Sequence, residues 1–215
     1  LYYRTKRREI GQEIAETVNY KPTRIRKTLK KIINVAIPIS ISSLISSFGK
    51  NIDSFTIVRF LKNYLTEQEA KIQYGILSGK IDSLCSLPFA FNVAFVTTLV
   101  PSISKSMAKG DLEEVAKKAE KYILISILIA FPIASTMFIY PNEILKILFP
   151  NAPSGAMYLK ISSITIVFML LAQTINGVLQ GIGKVNIPAI SFGIGMIVKF
   201  LCNIILIPNK QIGIY

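Results

Sequence analysis

The sequence has no histidine and only two cysteines, Cys85 and Cys202. A zinc-type site built from cysteine and histidine is therefore unavailable, and one pair of cysteines makes no disulfide framework. Acidic residues are also scarce, 12 against 25 lysines and arginines. Catalysis by general acids and bases needs positioned titratable groups. The loops opposite the amino-terminal side offer only Glu67, Glu69 and Glu143, with no paired carboxylates at a useful spacing and no glycine loop to cradle phosphate. The reading is of a non-enzyme with no cofactor and no metal. Charge is missing altogether from three long stretches, Ser83 to Ser104, Tyr122 to Asn142 and Ile161 to Gly183, which hold 22, 21 and 23 residues.

Those stretches set the class. A hydrocarbon core about 30 Å thick is crossed by roughly 20 residues rising 1.5 Å each. A soluble helix of this length needs a polar face, because only one stripe can be buried. These runs have no charged face at all. With 51% apolar residues and a mean hydropathy of +0.49 beside 25 basic residues, charge and apolarity must be segregated along the chain. The expectation is an all-α, polytopic transmembrane helix bundle with five spans, at about 32–61, 75–104, 122–140, 158–182 and 187–207. A cytoplasmic basic loop and interfacial helix over 1–31 precede this transmembrane region of 32–215, and a cytoplasmic amphipathic helix covers 108–121.

The net charge of +13 could serve nucleic acid, but the basic residues sit between spans rather than along one exposed groove-facing element. Attraction to anionic head groups, about 1 kcal/mol per basic residue near the surface, accounts for them more simply, so membrane lipids are the expected partner and nucleic acid is not. Lysine and arginine accumulate in cytoplasmic loops. Sixteen fall in 1–31, 105–121 and 184–186, on the side of residue 1, and six in 59–74, 143–160 and 208–215. The residue 1 side is thus read as cytoplasmic in a multi-pass protein of the plasma membrane. A first residue of Leu1, with no cleavage pattern before the first span, reads as an internal piece of a longer protein.

Local signals shape the connections. Gly110-Asp111 reads as a break and a helix start, and Gly183-Lys184-Val185-Asn186 as a tight turn. The first span does not stop at its polar segment Gly49 to Asp53, so one helix of about 30 residues, or a broken pair, is expected there. Pro141-Asn142-Glu143 and Pro150 to Pro153 mark a turn-rich outer connection.

Charge inside a bilayer costs at least about 2.5 to 3.5 kcal/mol on insertion scales, which directs such groups to a protein interior or a wet cavity. Lys199 lies mid-way along the fifth span, with Asn203 one turn further on the same face. It binds an anionic substrate, pairs with a neighbouring helix or snorkels outward. Lys50 and Asp53, three apart, are spaced to pair locally. Arg59 has no acid at helical spacing and can either fork phosphate oxygens or anchor the outer interface. Lys80 and Asp82 lie on roughly opposite faces, and one of them is expected to face a cavity. Gly75 with Gly79, Gly177 with Gly181, and the serines from Ser40 to Ser47 permit close helix approach. Gln173, Asn176 and Gln180 form a polar stripe for interhelical hydrogen bonds or for substrate.

The run Tyr74-Gly75-Ile76-Leu77-Ser78-Gly79, continuing through Leu87-Pro88 to Thr98-Leu99-Val100-Pro101-Ser102-Ile103-Ser104 and Lys109-Gly110-Asp111, resembles the stage V sporulation protein B and polysaccharide-exporter branch of the multidrug/oligosaccharidyl-lipid/polysaccharide (MATE-like) flippases. Ile37-Pro38-Ile39, Asn51-Ile52-Asp53-Ser54 with Arg59, Leu179 to Lys184, and Lys199 with Asn203 support it. The resemblance covers nearly the whole chain and implies the loop after a sixth span followed by spans seven to eleven, most of the second lobe of a two-lobed flippase. It implies alternating access that moves a lipid-linked saccharide, with the first lobe of the same chain completing the cavity. Arg59 and Lys199 are the positions carried over, and Asn203, Lys80 and Asp53 complete the candidate cavity set. The alternatives are cation-coupled multidrug efflux, which would draw on Asp53 and Asp82, and a non-transporting scaffold or glycan polymerase, for which large outer loops are lacking.

Overall fold

In a computed structural model the described residues are 25–208, excepting the side chains of Lys31, Ser46 and Lys50. The basic segment expected over residues 1–31 lies almost wholly outside them. Every element among the described residues is helical: α1 Ile25–Leu61, α2 Glu67–Gly75, a π-helical stretch Ile76–Ile81, α3 Asp82–Lys109, α4 Leu112–Ile139, α5 Pro141–Leu148, α6 Ala156–Gly181 and α7 Asn186–Leu206. Two compact units divide within α1. One is Leu1–Ile37, described only as the opening of that helix, and the other is Pro38–Tyr215, which carries the remaining elements.

Five helices are long and apolar enough to cross a membrane: Ile25–Leu61, Glu67–Lys109, Leu112–Ile139, Ala156–Gly181 and Asn186–Leu206. The polar segment Gly49 to Asp53 does not interrupt α1, because polar side chains alone leave the backbone ladder intact. The second span starts earlier than its hydrophobic run. Thr66 caps α2 in a reciprocal box: its backbone N–H donates to Glu69 Oε2 at 2.9 Å, and its hydroxyl accepts from the Glu69 N–H at 3.3 Å.

Gly110, at φ +75°, closes α3 with a 3.1 Å bond from the Asp111 N–H to the Ser106 carbonyl, and Asp111 caps α4 through the Glu114 N–H at 2.8 Å. The amphipathic segment around 108–121 is not a separate helix. It forms the first turns of α4, which runs unbroken into the apolar residues because neither glycine nor proline intervenes before Pro132. The connection after α4 likewise holds a short helix, α5, with Pro141 at its first turn.

Packing is tightest among α3, α4 and α6. Ile81, Leu84, Cys85, Ala130, Ala134, Leu159, Ile166 and Leu170 build one buried cluster, sealed at one end by Leu145 of α5. Leu99, Ile103 and Val115 build a second around the α3–α4 hairpin. Ile57 and Leu61 of α1 meet Ala70 of α2 and Ile207 just after α7 in a third. Along α7 only Pro188 is buried, and Ile190, Ile194, Ile197, Leu201 and Ile205 are exposed. A surface this apolar requires lipid or further helices to cover it.

Candidate functional site

Two facing stripes meet between α1 and α7. Asp53 and Thr56 are three apart on α1, and Lys199 and Asn203 are four apart on α7, so each pair shares one face of its helix. The Lys199 ammonium pairs with Asp53 Oδ2. Asn203 Nδ2 donates to Asp53 Oδ1 at 3.2 Å and to Thr56 Oγ1 at 3.4 Å, and Thr56 in turn donates to the Ile52 carbonyl at 2.6 Å. Both carboxylate oxygens of Asp53 are thereby occupied. Its side chain is 16% exposed and that of Lys199 is 52% exposed. Beyond the pair, Lys199 borders a groove of about 300 Å³ with Ile45, Gly49, Phe192 and Met196.

Of the readings open for Lys199, pairing with a neighbouring helix is the one the geometry adopts. Asp53 takes this partner, 146 residues away in sequence, where local spacing pointed to Lys50, whose side chain lies outside the described residues. A lysine ammonium has three donors. Only one needs to face Asp53.

Arg59 and Lys80 do not join this cluster. Arg59 lies six residues beyond Asp53, about 9 Å along α1. It is exposed, with its guanidinium 5.9 Å from the Phe55 ring, and among the described residues it has no carboxylate at ion-pair distance. Lys80 extends from the π-helical stretch to the connection between α5 and α6. There it donates to the carbonyls of Ala152 and Ser154, the latter at 3.1 Å, and approaches the Phe149 ring at 5.5 Å. Its nitrogen clasps a loop rather than facing a cavity. Gly155, in that loop at φ +105°, packs so close that an added Cβ would stand 2.6 Å from Ile76 Cγ2.

One fully buried polar group was not singled out in the sequence. Asn92 of α3 is fully buried, and its two Nδ2 hydrogens are shared among the Leu170 carbonyl at 3.1 Å, Gln173 Oε1 at 2.8 Å and Thr174 Oγ1 at 3.1 Å. Its Oδ1 accepts from Ser126 of α4 at 3.1 Å, so one amide ties three helices together. The signal was a lone asparagine inside an uncharged run. Gln173, one member of the expected polar stripe, does bond between helices, whereas Gln180 borders a groove of about 340 Å³ with Ser42, Ser43 and Pro188.

The two glycine pairs behave differently. A Cβ on Gly177 would stand 2.6 Å from Val96 Cγ1, and one on Gly181 would stand 2.7 Å from Ile103 Cβ, so α6 approaches α3 closely there. Gly75 and Gly79 have nothing within 4 Å of that position; Gly75 precedes the π-helical stretch and Gly79 lies within it. Among the described residues, no group of three or more metal-ligating side chains comes together.

The helices that carry the Asn92 network, Lys80 and Lys199 coincide with one family model, which matches residues 78–205 under the description MatE. The chain belongs to the MatE family. The matched stretch includes Lys199 and Asn203 but not Asp53 or Arg59, so the α1 half of the cluster lies outside it.

MatE membership agrees with the curated relatives. The uncharacterized membrane protein YabM of Bacillus subtilis (strain 168) is 28% identical over 187 residues, 87% of this chain and 35% of that protein. The uncharacterized membrane protein MJ1068 of Methanocaldococcus jannaschii is 35% identical over 122 residues, 56% of this chain and 24% of that protein. Stage V sporulation protein B of Bacillus subtilis (strain 168) is 21% identical over 190 residues, 88% of this chain and 36% of that protein. The chain thus spans between about a quarter and about a third of the length of these relatives. No solved structure gives a significant match. This MatE chain is an all-helical membrane protein of the same superfamily as stage V sporulation protein B.

Proposed function

We propose that this chain is the larger part of one lobe of a membrane flippase or exporter. The complete protein moves lipid-linked oligosaccharide or polysaccharide precursors across the cytoplasmic membrane by alternating access. The residue 1 side faces the cytoplasm, and the first lobe completes the cavity. MatE membership and the likeness to stage V sporulation protein B support this reading and favour a sporulation or cell-wall setting.

The observation that carries it is the Asp53, Thr56, Lys199, Asn203 cluster joining α1 to α7. An ion pair set among apolar helices is costly to desolvate, and a hydrophobic pair of similar size would hold two helices at least as well. Lys199 is half exposed to a groove while Asp53 is mostly covered. A phosphate arriving from the groove side can take the lysine, and Asp53 keeps Asn203 as its remaining donor. Exchange of partners would loosen α1 from α7, which links occupancy of the cavity to helix movement. Asn203, itself positioned by Thr56, holds the carboxylate in place meanwhile.

The greater burial of Asp53 favours a second reading, cation-coupled multidrug efflux, in which that carboxylate carries the coupling cation. Reconstitution of the full-length protein in vesicles separates the two. Outward movement of a fluorescent lipid-linked oligosaccharide, with no transport of a cationic dye under a proton or sodium gradient, is the expected result. The converse pattern would replace the flippase with the efflux pump.

A further inference from the structure

The end of α1 and the facing side of α2 enclose an open cavity of about 510 Å³, bordered by Phe55, Val58, Arg59, Lys62, Lys71 and Tyr74. This volume lies within the range of small-molecule sites. Its charge is unbalanced. Glu67 is shared by two lysines, with Oε2 2.9 Å from Lys62 Nζ and Oε1 2.7 Å from Lys71 Nζ. Arg59 has no acid at ion-pair distance among the described residues. Three cations therefore face one carboxylate. The remaining wall, formed by Ser54, Phe55, Val58 and the Tyr74 ring, is mostly apolar.

A planar guanidinium fork beside two mobile ammonium groups is the donor set that phosphate oxygens accept, and the guanidinium keeps its charge at any working pH. The ion pairs already there do not compete strongly. Glu67 is 56% exposed and Lys71 64% exposed, and surface pairs of this kind contribute little, so both lysines can exchange the carboxylate for a more highly charged anion. The apolar wall next to the cations suits the first carbons of a chain attached to that anion.

We propose that this cavity is a binding site for a phosphate or diphosphate group, held by Arg59, Lys62 and Lys71, with the attached chain lying against Phe55 and Val58. It is distinct from the groove at Lys199, and Arg59 lies about 9 Å beyond Asp53 along α1. Its role as the position that holds the head group after the Lys199 step rests on the flippase reading, whereas the binding itself does not.

The test is equilibrium binding to the purified full-length protein, with radiolabelled geranylgeranyl diphosphate, inorganic pyrophosphate and uncharged geranylgeraniol as probes. The diphosphates are expected to bind, geranylgeraniol much less. Arg59→Gln and Lys71→Gln should each weaken diphosphate binding about tenfold or more. Arg59→Lys should retain more of it than Arg59→Gln, and Lys146→Gln, which removes an exposed charge elsewhere, should leave it unchanged. Unaltered elution and helicity show that the variants fold. Tighter binding of the prenylated probe than of pyrophosphate assigns the site to a lipid head group, and equal binding assigns it to a soluble phosphate; both support the site. No diphosphate binding, binding indifferent to Arg59 and Lys71, or geranylgeraniol binding as tightly as its diphosphate would overturn it. A protein that shows the expected binding pattern yet fails to flip lipid-linked saccharides keeps the site and refutes the flippase reading instead.

Discussion

Asn92→Ala should destabilise the helix bundle by about 2 kcal/mol. The figure follows from the bonds that the amide makes to other helices, two donated hydrogens shared among three acceptors of α6 and one bond accepted from α4. Interhelical side-chain bonds in membranes average about 0.6 kcal/mol each. The loss stays near that sum because the neighbouring hydroxyls are not orphaned. Ser126 keeps the Tyr122 carbonyl at 2.9 Å and Thr174 Oγ1 at 2.6 Å, and Thr174 keeps the Leu170 carbonyl at 3.0 Å. Only Gln173 Oε1 loses its donor, and Gln173 is half-buried rather than sealed off. The assay is unfolding of the full-length protein in mixed micelles by increasing dodecyl sulfate, followed by circular dichroism. A loss below about 0.5 kcal/mol would mean that the network is incidental to the packing of α3, α4 and α6.

The glycines of α6 make a paired prediction. Gly177→Ala and Gly181→Ala should each cost about 1 to 3 kcal/mol by overpacking. Val96→Ala should rescue the first, whose obstacle is a γ-methyl, while Ile103→Ala should not rescue the second, whose obstacle is a Cβ that alanine retains; equal rescue at both would refute the contact geometry. Lys80→Met removes the donor that holds Ala152 and Ser154, so hydrogen exchange and proteolysis should rise in residues 150–155 with the rest of the bundle unchanged. Unchanged protection there would show that the clasp carries no local stability. For topology, a single cysteine at Lys118, with Cys85 and Cys202 replaced by serine, should resist a membrane-impermeant thiol reagent in intact cells and react after lysis. Labelling in intact cells would reverse the orientation.

Much of the architecture was legible because apolar length and the position of charge are local properties. The uncharged runs foretold the bodies of α3, α4 and α6, and Gly110-Asp111 and Gly183 marked turns that do form, with both glycines at positive φ. The extension of the second span back to Glu67 was also written locally, in the Thr66 to Glu69 capping box, but its polar composition masked it. The π-helical stretch at Ile76–Ile81 has no comparable signature, since its extra residue per turn is settled by what packs around it.

The site was legible only in part. Sequence spacing identifies neighbours on one helix, so Lys199 with Asn203 was readable as one face. The choice of Asp53 as their partner depends on which helices meet, which no local spacing encodes. Lys80 and Arg59 carried the same exceptional charge as Lys199 but go to different places, a loop clasp and a cationic cavity. Asn92 was overlooked because one neutral amide hardly changes the hydropathy of a span, even though a buried amide must find partners for its donors and its acceptor.

The central claim is that the Asp53–Lys199 cluster belongs to a transport cavity. It is tested most directly by the rate of lipid-linked oligosaccharide flipping in vesicles that contain the full-length protein, compared between wild type, Lys199→Ala and Lys199→Arg at equal inserted amounts. The account predicts that Lys199→Ala inserts normally but flips at least about tenfold more slowly, and that Lys199→Arg recovers part of the rate. Flipping by Lys199→Ala at the wild-type rate would contradict it.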